Sequence, residues 1–580
     1  MSYLVAISIG PVQEFIAASR RTNDLKAGSQ LLVDCVKAAV VSLEKLSSVE
    51  LIFPKESDQA GANKILLRLN GENPCEITHD AKAQALKLLL HEWNRVKFEL
   101  EQIQPNSVNF DLAQSQVESF LEFYSAWVIE TGNYQYDRKS VERLLAGRKA
   151  LRNFEPAASI DALPKSPLDP ARDGVLKLGN EHMVPSSLIN SQYRFKTRET
   201  LDAISLIKRV NGSKGKNIPS TTLMALRNVY DTNELNDLKD RLEKYSEKYK
   251  RNFEDLVFIS SPVQLSSDEE AHSTFELIKA IIKSVHPSKK PFPYYAILVA
   301  DGDKMGAALD KFTLSAGHQQ FSAQLSNFAL EANSVVENHR GYCVYAGGDD
   351  VVAFLPVKTA IQCAKMLSDT FTSVTTMKTN EKWGNLQFIE CSLSVGIAIV
   401  HHLESLQVSL EYARAAEKRA KKLRNAMAIG LHTRGGQPIM LTAESWNDDP
   451  LYRWNEITEL LGSKISRGLP YELRELANEW LDTSLPDERL INEVMRIVKR
   501  KKDKNKDSAL SEEENRKQYD LMIDQISNLV KNHIFRNPIE TDDEDSNTDS
   551  GSNNLLELAN RLILSRFLTS ESYEGGAESE

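Results

Sequence analysis

The most regular hydrophobic patterning lies between Pro291 and Leu431. Tyr294 to Ala300 is an unbroken apolar run, which predicts a strand buried on both faces. It ends at Asp301-Gly302-Asp303, and an amphipathic helix follows over about residues 319–340. Tyr342 to Tyr345 and Val351 to Leu355 then flank Gly347-Gly348-Asp349-Asp350, which reads as a hairpin with a tight connection. A helix over about 359–376, a strand over 391–400 and a helix over about 408–422 complete the segment. The order is β-α-β-β-α-β, the ferredoxin-like arrangement, with one more helix behind it.

Elsewhere the pattern is mostly helical. A strand from Leu4 to Ile9 opens the chain, and helix follows. Residues 75–103 carry a long helical period, and residues 138–154 carry a basic one. Residues 155–220 are rich in Pro, Asp, Ser and Gly and read as an irregular insert, before charged helix over 221–251. The last part of the chain reads as helical. A basic loop at Lys499 to Lys504 and an acidic, Ser/Asn-rich stretch from Thr541 to Asn554, expected to be disordered, interrupt it.

Length and composition narrow the class. A chain of 580 residues exceeds one core and predicts about three to five domains. No apolar run approaches the ~18 residues of a membrane span, and the N-terminus lacks the basic start of a signal peptide. The expectation is a cytoplasmic protein with no membrane partner. The net charge of −10 is uneven: Asn537 to Glu580 holds eleven acidic and two basic residues, leaving about −1 for the rest. The five cysteines show no C-x-x-C spacing, so neither a zinc knuckle nor a disulfide framework is indicated. They read as small buried apolar residues.

The candidate chemistry follows from topology. In a ferredoxin-like sheet the end of the first strand and the tip of the hairpin share one edge. That places Asp301 and Asp303 near Asp349 and Asp350. Converging carboxylates repel unless cations neutralise them, and hard oxygen ligands suit Mg²⁺ or Mn²⁺. Gly302, Gly347 and Gly348, with no side chains, let a triphosphate approach the backbone, and Lys304 follows directly. The last helix carries Lys418, Arg419, Lys421, Lys422 and Arg424. The run reads either as a solvated basic face or as a source of a triphosphate ligand, with Lys421 the favoured residue.

A family resemblance rests on YAILVADGDKMG (295–306), CVYAGGDDVVAFL (343–355) and the SLSVG strand with its AKKLRN helix (392–425). These resemble the large, polymerase/cyclase subunit of type III CRISPR effector complexes, which is distantly similar to GGDEF-type nucleotide cyclases. ISIGPVQEFIAASRRTNDLKAGSQLL (7–32) resembles the first palm of that subunit in the III-B (Cmr) branch, and GRKALRNF (147–154) and PKSPLD (164–169) fit the same branch. The resemblance implies an α+β chain with two ferredoxin-like palms. Its parts would be a first palm at 1–150, a helical or irregular insert at 151–285, a second palm at 286–440 and a helical C-terminal domain at 441–580. It implies a nucleotidyltransferase that joins ATP into cyclic oligoadenylate when a complex of crRNA, target RNA and other Cmr-type subunits assembles. Asp301, Asp349 and Asp350 would ligate metal. The Gly10-to-Gln13 turn and the Gly28-Ser29 pair would lie near the second nucleotide, a placement that competes equally with a plain strand-to-helix junction.

Two departures from the family are visible. His79-Asp80 is isolated from the spaced partners of a dinuclear nuclease site, so no HD nuclease is expected. The cysteine pairs that hold zinc in many relatives are missing, so no zinc site is expected. RNA contact is expected at Lys139 to Arg152, Lys208 to Lys216 and Lys499 to Lys504. The rival readings are a GTP-using diguanylate-cyclase-like enzyme and a catalytically silent scaffold.

Overall fold

The computed structural model describes residues 1–57, 63–151, 163–177, 193, 195, 199–214, 218–267, 270–287, 290–376, 390–451, 454, 468–480, 487–500, 512–534 and 551–569. The chain begins with β1 (Ser2–Gly10), whose side chains alternate between two cores. Val5, Ile7 and Ile9 join one, and Leu4 and Ala6 join the other. There follow α1 (Gln13–Ala17), α2 (Thr22–Glu44), β2 (Val49–Phe53), β3 (Lys64–Asn70), α3 (Pro74–Ile103), α4 (Phe110–Glu118), β4 (Glu122–Ile129) and α5 (Tyr134–Ala150). In α3 the Asn73 side chain accepts from the Cys75 amide and Pro74 opens the first turn. Its buried residues Ala81, Ala85, Leu89, Trp93, Val96 and Leu100 recur at helical spacing. The sheet order β2-β3-β1-β4 is that of a ferredoxin-like unit.

Helices α6 (Ala203–Lys214), α7 (Thr221–Leu226), α8 (Thr232–Tyr249), α9 (Phe253–Val257) and α10 (Glu270–Val285) connect this unit to a second one. The second contains β5 (Tyr294–Gly302), α11 (Met305–Leu309), α12 (Ser315–Asn338), β6 (Tyr342–Gly347), β7 (Asp350–Leu355), α13 (Val357–Thr375), β8 (Leu393–His401) and α14 (Leu406–Leu423). β9 (Ala426–His432), β10 (Ile439–Met440) and β11 (Glu444–Ser445) extend its sheet. The order β10-β9-β8-β5-β7-β6 contains the first unit's plan and adds strands beyond β8. β9 runs parallel to β8, so the helix expected behind the unit is the crossover to a further strand.

The continuous apolar run of β5 is explained by burial on both faces. Tyr294, Ala296, Leu298 and Ala300 pack into a core with α12 and α13. Tyr295, Ile297 and Val299 pack into the core that also holds β1 and α2. The first palm, together with Leu406, Leu410 and Ala413 of α14, therefore covers the sheet face opposite α12 and α13.

Several sequence expectations change. The insert expected to be irregular contains α6, and its residues are shared out: Leu168, Val175, Leu201 and Ile207 join the first palm's core, while Leu226, Leu238 and Phe275 join the second's. Lys208 and Arg209 are buried and not available to RNA. Lys208 donates to the carbonyls of Phe15 and Ala18, both at 2.7 Å, and holds the end of α1. Arg209 pairs with Asp24 at 2.9 Å and Glu199 at 3.1 Å. In the basic helical period that begins at residue 138, Arg138 is buried and joins Lys139 on Asp310 of the second palm. Most of 499–504 lies outside the described residues. Cys75 is exposed, whereas the other four cysteines are buried. The C-terminal helices α15 (Leu469–Trp480), α16 (Asp487–Arg500), α17 (Glu512–Ile534) and α18 (Gly551–Thr569) share a small core of their own. Helix α18 takes in residues 551–554 of the stretch expected to be disordered, whose remainder lies outside the described residues.

Candidate active site

The hairpin tip is set by backbone register. Gly347 faces Asp350 across the β6–β7 ladder, so Gly348 and Asp349 are the two turn residues. Gly348 has φ +65°, which a two-residue hairpin turn asks of its first central position. Ala300 of β5 faces Val351 of β7, which sets Asp301 beside Asp350 at the same sheet edge. Gly302 makes a close approach possible: a Cβ there would lie 2.8 Å from the Asp349 Cβ and 2.9 Å from its Oδ2. The topology thus brings Asp301, Gly302, Asp349 and Asp350 together as the sequence predicts.

The two turn carboxylates have no hydrogen-bond or ion-pair partner on another side chain among the described residues. Desolvation raises Asp349 above the usual carboxylate range. Asp350 is pushed up to about 7 by desolvation first, then by the charges of Asp349 and Glu417. Lys64 and Arg414 act in the opposite direction on Asp350, and Lys64 also does so on Asp349. The Tyr345 phenol beside them is raised by burial and by both carboxylates.

Other predicted residues are placed differently. Lys421 forms an ion pair with Asp301 and donates to the Gly302 carbonyl at 3.2 Å, so it occupies the strand end itself. Asp303 is buried and does not face the turn. Its carboxylate accepts from the hydroxyls of Ser392 at 2.8 Å and Ser394 at 2.7 Å, and from the Asn425 amide at 2.8 Å. It braces β8 to the α14–β9 connection and is not a triphosphate contact. Lys304 is exposed at the cap of the short α11, with φ 52°.

Among the described residues no three His, Cys, Asp or Glu side chains close on one point. The donor set of Asp301, Asp349 and Asp350 is nonetheless all oxygen, and two of the three carry no cation of their own. That fits a hard divalent cation, with Lys421 already neutralising Asp301.

Where the two palms meet, Lys64, Arg414 and Lys26 are groups that sequence reasoning did not select, beside the predicted Gln13 and Ser29. Lys64 lies at the start of β3, close enough for its charge to be felt at the turn. Arg414 of α14 donates to the Gln13 carbonyl at 3.2 Å and joins the two palms beside Asp350. Lys26 of α2 donates to the Val344 carbonyl of β6 at 3.1 Å. Ser29 is buried in a crevice lined by Ile9, Asn63 and Tyr345, the last from the second palm. Gly28 instead lies against the Lys208 side chain. Arg414, Glu417 and Lys421 recur at helical spacing, a signal that marks one face of α14 toward the site. Nothing in sequence marks Lys64.

Comparison with known proteins gives a consistent result. Residues 294–428 match the family model "Cas10/Cmr2, second palm domain", and residues 4–129 match "CRISPR-associated protein Cmr2, N-terminal". The Cmr subunit Cmr2 of Pyrococcus furiosus is 24% identical, over 87% of this chain and 70% of the relative. A cryo-EM structure of a type III-B Cmr-β complex in the apo state aligns with a TM-score of 0.63 at 13% identity, covering 98% of this chain and 81% of that one. The Cmr-β structure bound to cognate target RNA aligns with a TM-score of 0.57 at 12% identity, covering 86% and 78%.

Proposed function

Because the chain belongs with the Cas10/Cmr2 large subunits of type III-B CRISPR effector complexes, we propose that it is the nucleotidyltransferase of such a complex. It joins ATP into cyclic oligoadenylate when target RNA is engaged. Its partners are crRNA, target RNA and the other Cmr-type subunits. The observation that carries this reading is the pair of unneutralised carboxylates Asp349 and Asp350 at a glycine turn, against the end of β5 and facing the first palm.

In the reaction the 3′-hydroxyl of one ATP gives up its proton to solvent as its oxygen bonds to the α-phosphorus of a second ATP, and the bond to pyrophosphate breaks. Asp301, Asp349 and Asp350 would hold Mg²⁺ or Mn²⁺, which supplies activation of the hydroxyl and neutralisation of the leaving group. Gly302, Gly347 and Gly348 leave the backbone open to phosphate. Lys421 and Arg414 provide positive charge at the same edge. Ser29 and the Gln13 turn present the first palm's side of the acceptor pocket. Holding both nucleotides between two palms removes much of the orientation entropy of the step.

Mass spectrometry of products from the assembled complex with ATP, Mg²⁺ and target RNA tests the proposal. Cyclic oligoadenylates are expected, and chelation of the metal should abolish them. Replacing both Asp349 and Asp350 by Ala should reduce the yield at least ~1000-fold. Unchanged yield from that variant, or products from GTP alone, would overturn the assignment.

A further inference from the structure

A cleft of about 1160 Å³ opens away from the hairpin, where both palms meet the connecting helices. The first palm contributes Arg20 and Arg21 just ahead of α2, the second palm contributes Arg340 between α12 and β6, and the connecting helices contribute Arg227 and Lys239. The Arg227 and Arg340 heads are held in an unusual way. Arg227 donates to the carbonyl of Arg340 at 2.9 Å, and Arg340 donates to that of Tyr230 at 2.6 Å. Backbone carbonyls fix both guanidiniums, and no carboxylate pairs with either among the described residues. Arg340 also has φ +61°, a left-handed backbone that a non-glycine residue adopts at some cost. Burial and the neighbouring Arg340 charge act together against the Arg227 cation. Two like charges fixed side by side await an anion.

Of the acidic residues on the wall, Asp24 is paired with Arg209, Glu254 accepts from Ser220 at 3.0 Å, and Glu337 is exposed, against five basic residues in Arg20, Arg21, Arg227, Lys239 and Arg340. Helix α2 opens into the cleft with no side chain capping its first-turn amides, which adds positive potential. Guanidinium forks match phosphate oxygens. The cleft is larger than the ~300–1,000 Å³ of typical small-molecule sites. The half-buried aromatic residues Phe253 and Tyr342 also line it.

We propose that this cleft binds the phosphate backbone of a single-stranded RNA, with Arg227 and Arg340 as the central phosphate contacts and Lys239 flanking them. The site is separate from the hairpin and does not depend on the nucleotidyltransferase reading.

Fluorescence anisotropy of a short labelled oligouridylate with the full chain tests it. Arg227→Ala with Arg340→Ala should weaken binding at least ~10-fold and lower the salt slope by about 0.7 for each phosphate no longer neutralised. These side chains also brace the backbone, so a second variant is needed. Lys239→Glu, at an exposed position, should also weaken binding measurably while the thermal midpoint stays unchanged. Unchanged RNA affinity in both variants overturns the proposal. Displacement of the RNA by micromolar ATP also overturns it, in favour of a free-nucleotide site, whereas persistence of the RNA at millimolar ATP supports it. Asp349→Ala with Asp350→Ala should leave RNA affinity unaltered, so failure here is distinguishable from failure of the hairpin site.

Discussion

A methyl group on Gly302 would occupy space held by Asp349. The turn would have to move by a fraction of an ångström to about 1 Å, a displacement that costs roughly 100-fold when reacting groups are being aligned. Gly302→Ala is therefore expected to lower ATP oligomerisation by about that factor while circular dichroism shows a folded protein. Activity within twofold of the parent would show that Asp349 does not depend on this approach. A stability effect of another kind is expected at Arg209. Its removal leaves Asp24 and Glu199 buried without their cation, so Arg209→Ala should cost about 3–5 kcal/mol in urea denaturation. A loss under ~1 kcal/mol would mean that water or Arg20 takes over the charge. At this scale the sequence was most readable where local chemistry decides the backbone, as at Gly348. Arg209 and Lys208 misled because a run of basic residues looks the same whether it meets solvent, two buried acids as Arg209 does, or two backbone carbonyls as Lys208 does.

Helices and strands were legible wherever their burial was periodic. The uniform burial of β5, the two halves of the hairpin and the spacing along α3 all appear in the apolar pattern. Helix α6 was hidden because it sits in a Pro-, Asp- and Ser-rich stretch and buries nearly every side chain, so no polar face shows its period. The packing of α12 on the first palm gives a pH dependence. His318 of α12 is bonded to the Tyr134 hydroxyl of α5 at 2.7 Å, and burial lowers its pKa to about 3. His402, on β8's C-terminal side, is likewise lowered to about 3 by burial. The unfolded chain binds these protons below about 6.5 and the folded chain does not, so stability is fully present above 6.5 and falls as pH drops toward 3. Each histidine should remove up to about 1.4 kcal/mol per pH unit in that window. Urea midpoints measured at neutral and mildly acidic pH check this, and His318→Asn should flatten the slope. A midpoint independent of pH would remove both histidines from the explanation.

At the scale of the whole molecule, the central fact is that β1, α2, β5, β8 and α14 feed one continuous core. Neither palm can lose its packing without exposing the other's sheet face. The two are expected to unfold in one cooperative transition by calorimetry, and a core variant in the first palm, such as Leu32→Ala, should lower that transition by about 2–5 kcal/mol. Two separate palm transitions, only one of them shifted by the variant, would contradict a shared core. This sharing was not legible in sequence, because the apolar run of β5 shows that both its faces are buried but not which element covers each face.

Lys64 adds a last consequence. Its ammonium belongs to one palm, and the acidic turn it influences belongs to the other. Coulomb attraction weakens with distance, so drawing the palms apart would remove positive potential from Asp349 and Asp350 without moving an atom of the hairpin. The spacing between the two halves thereby enters the proton affinity of the turn.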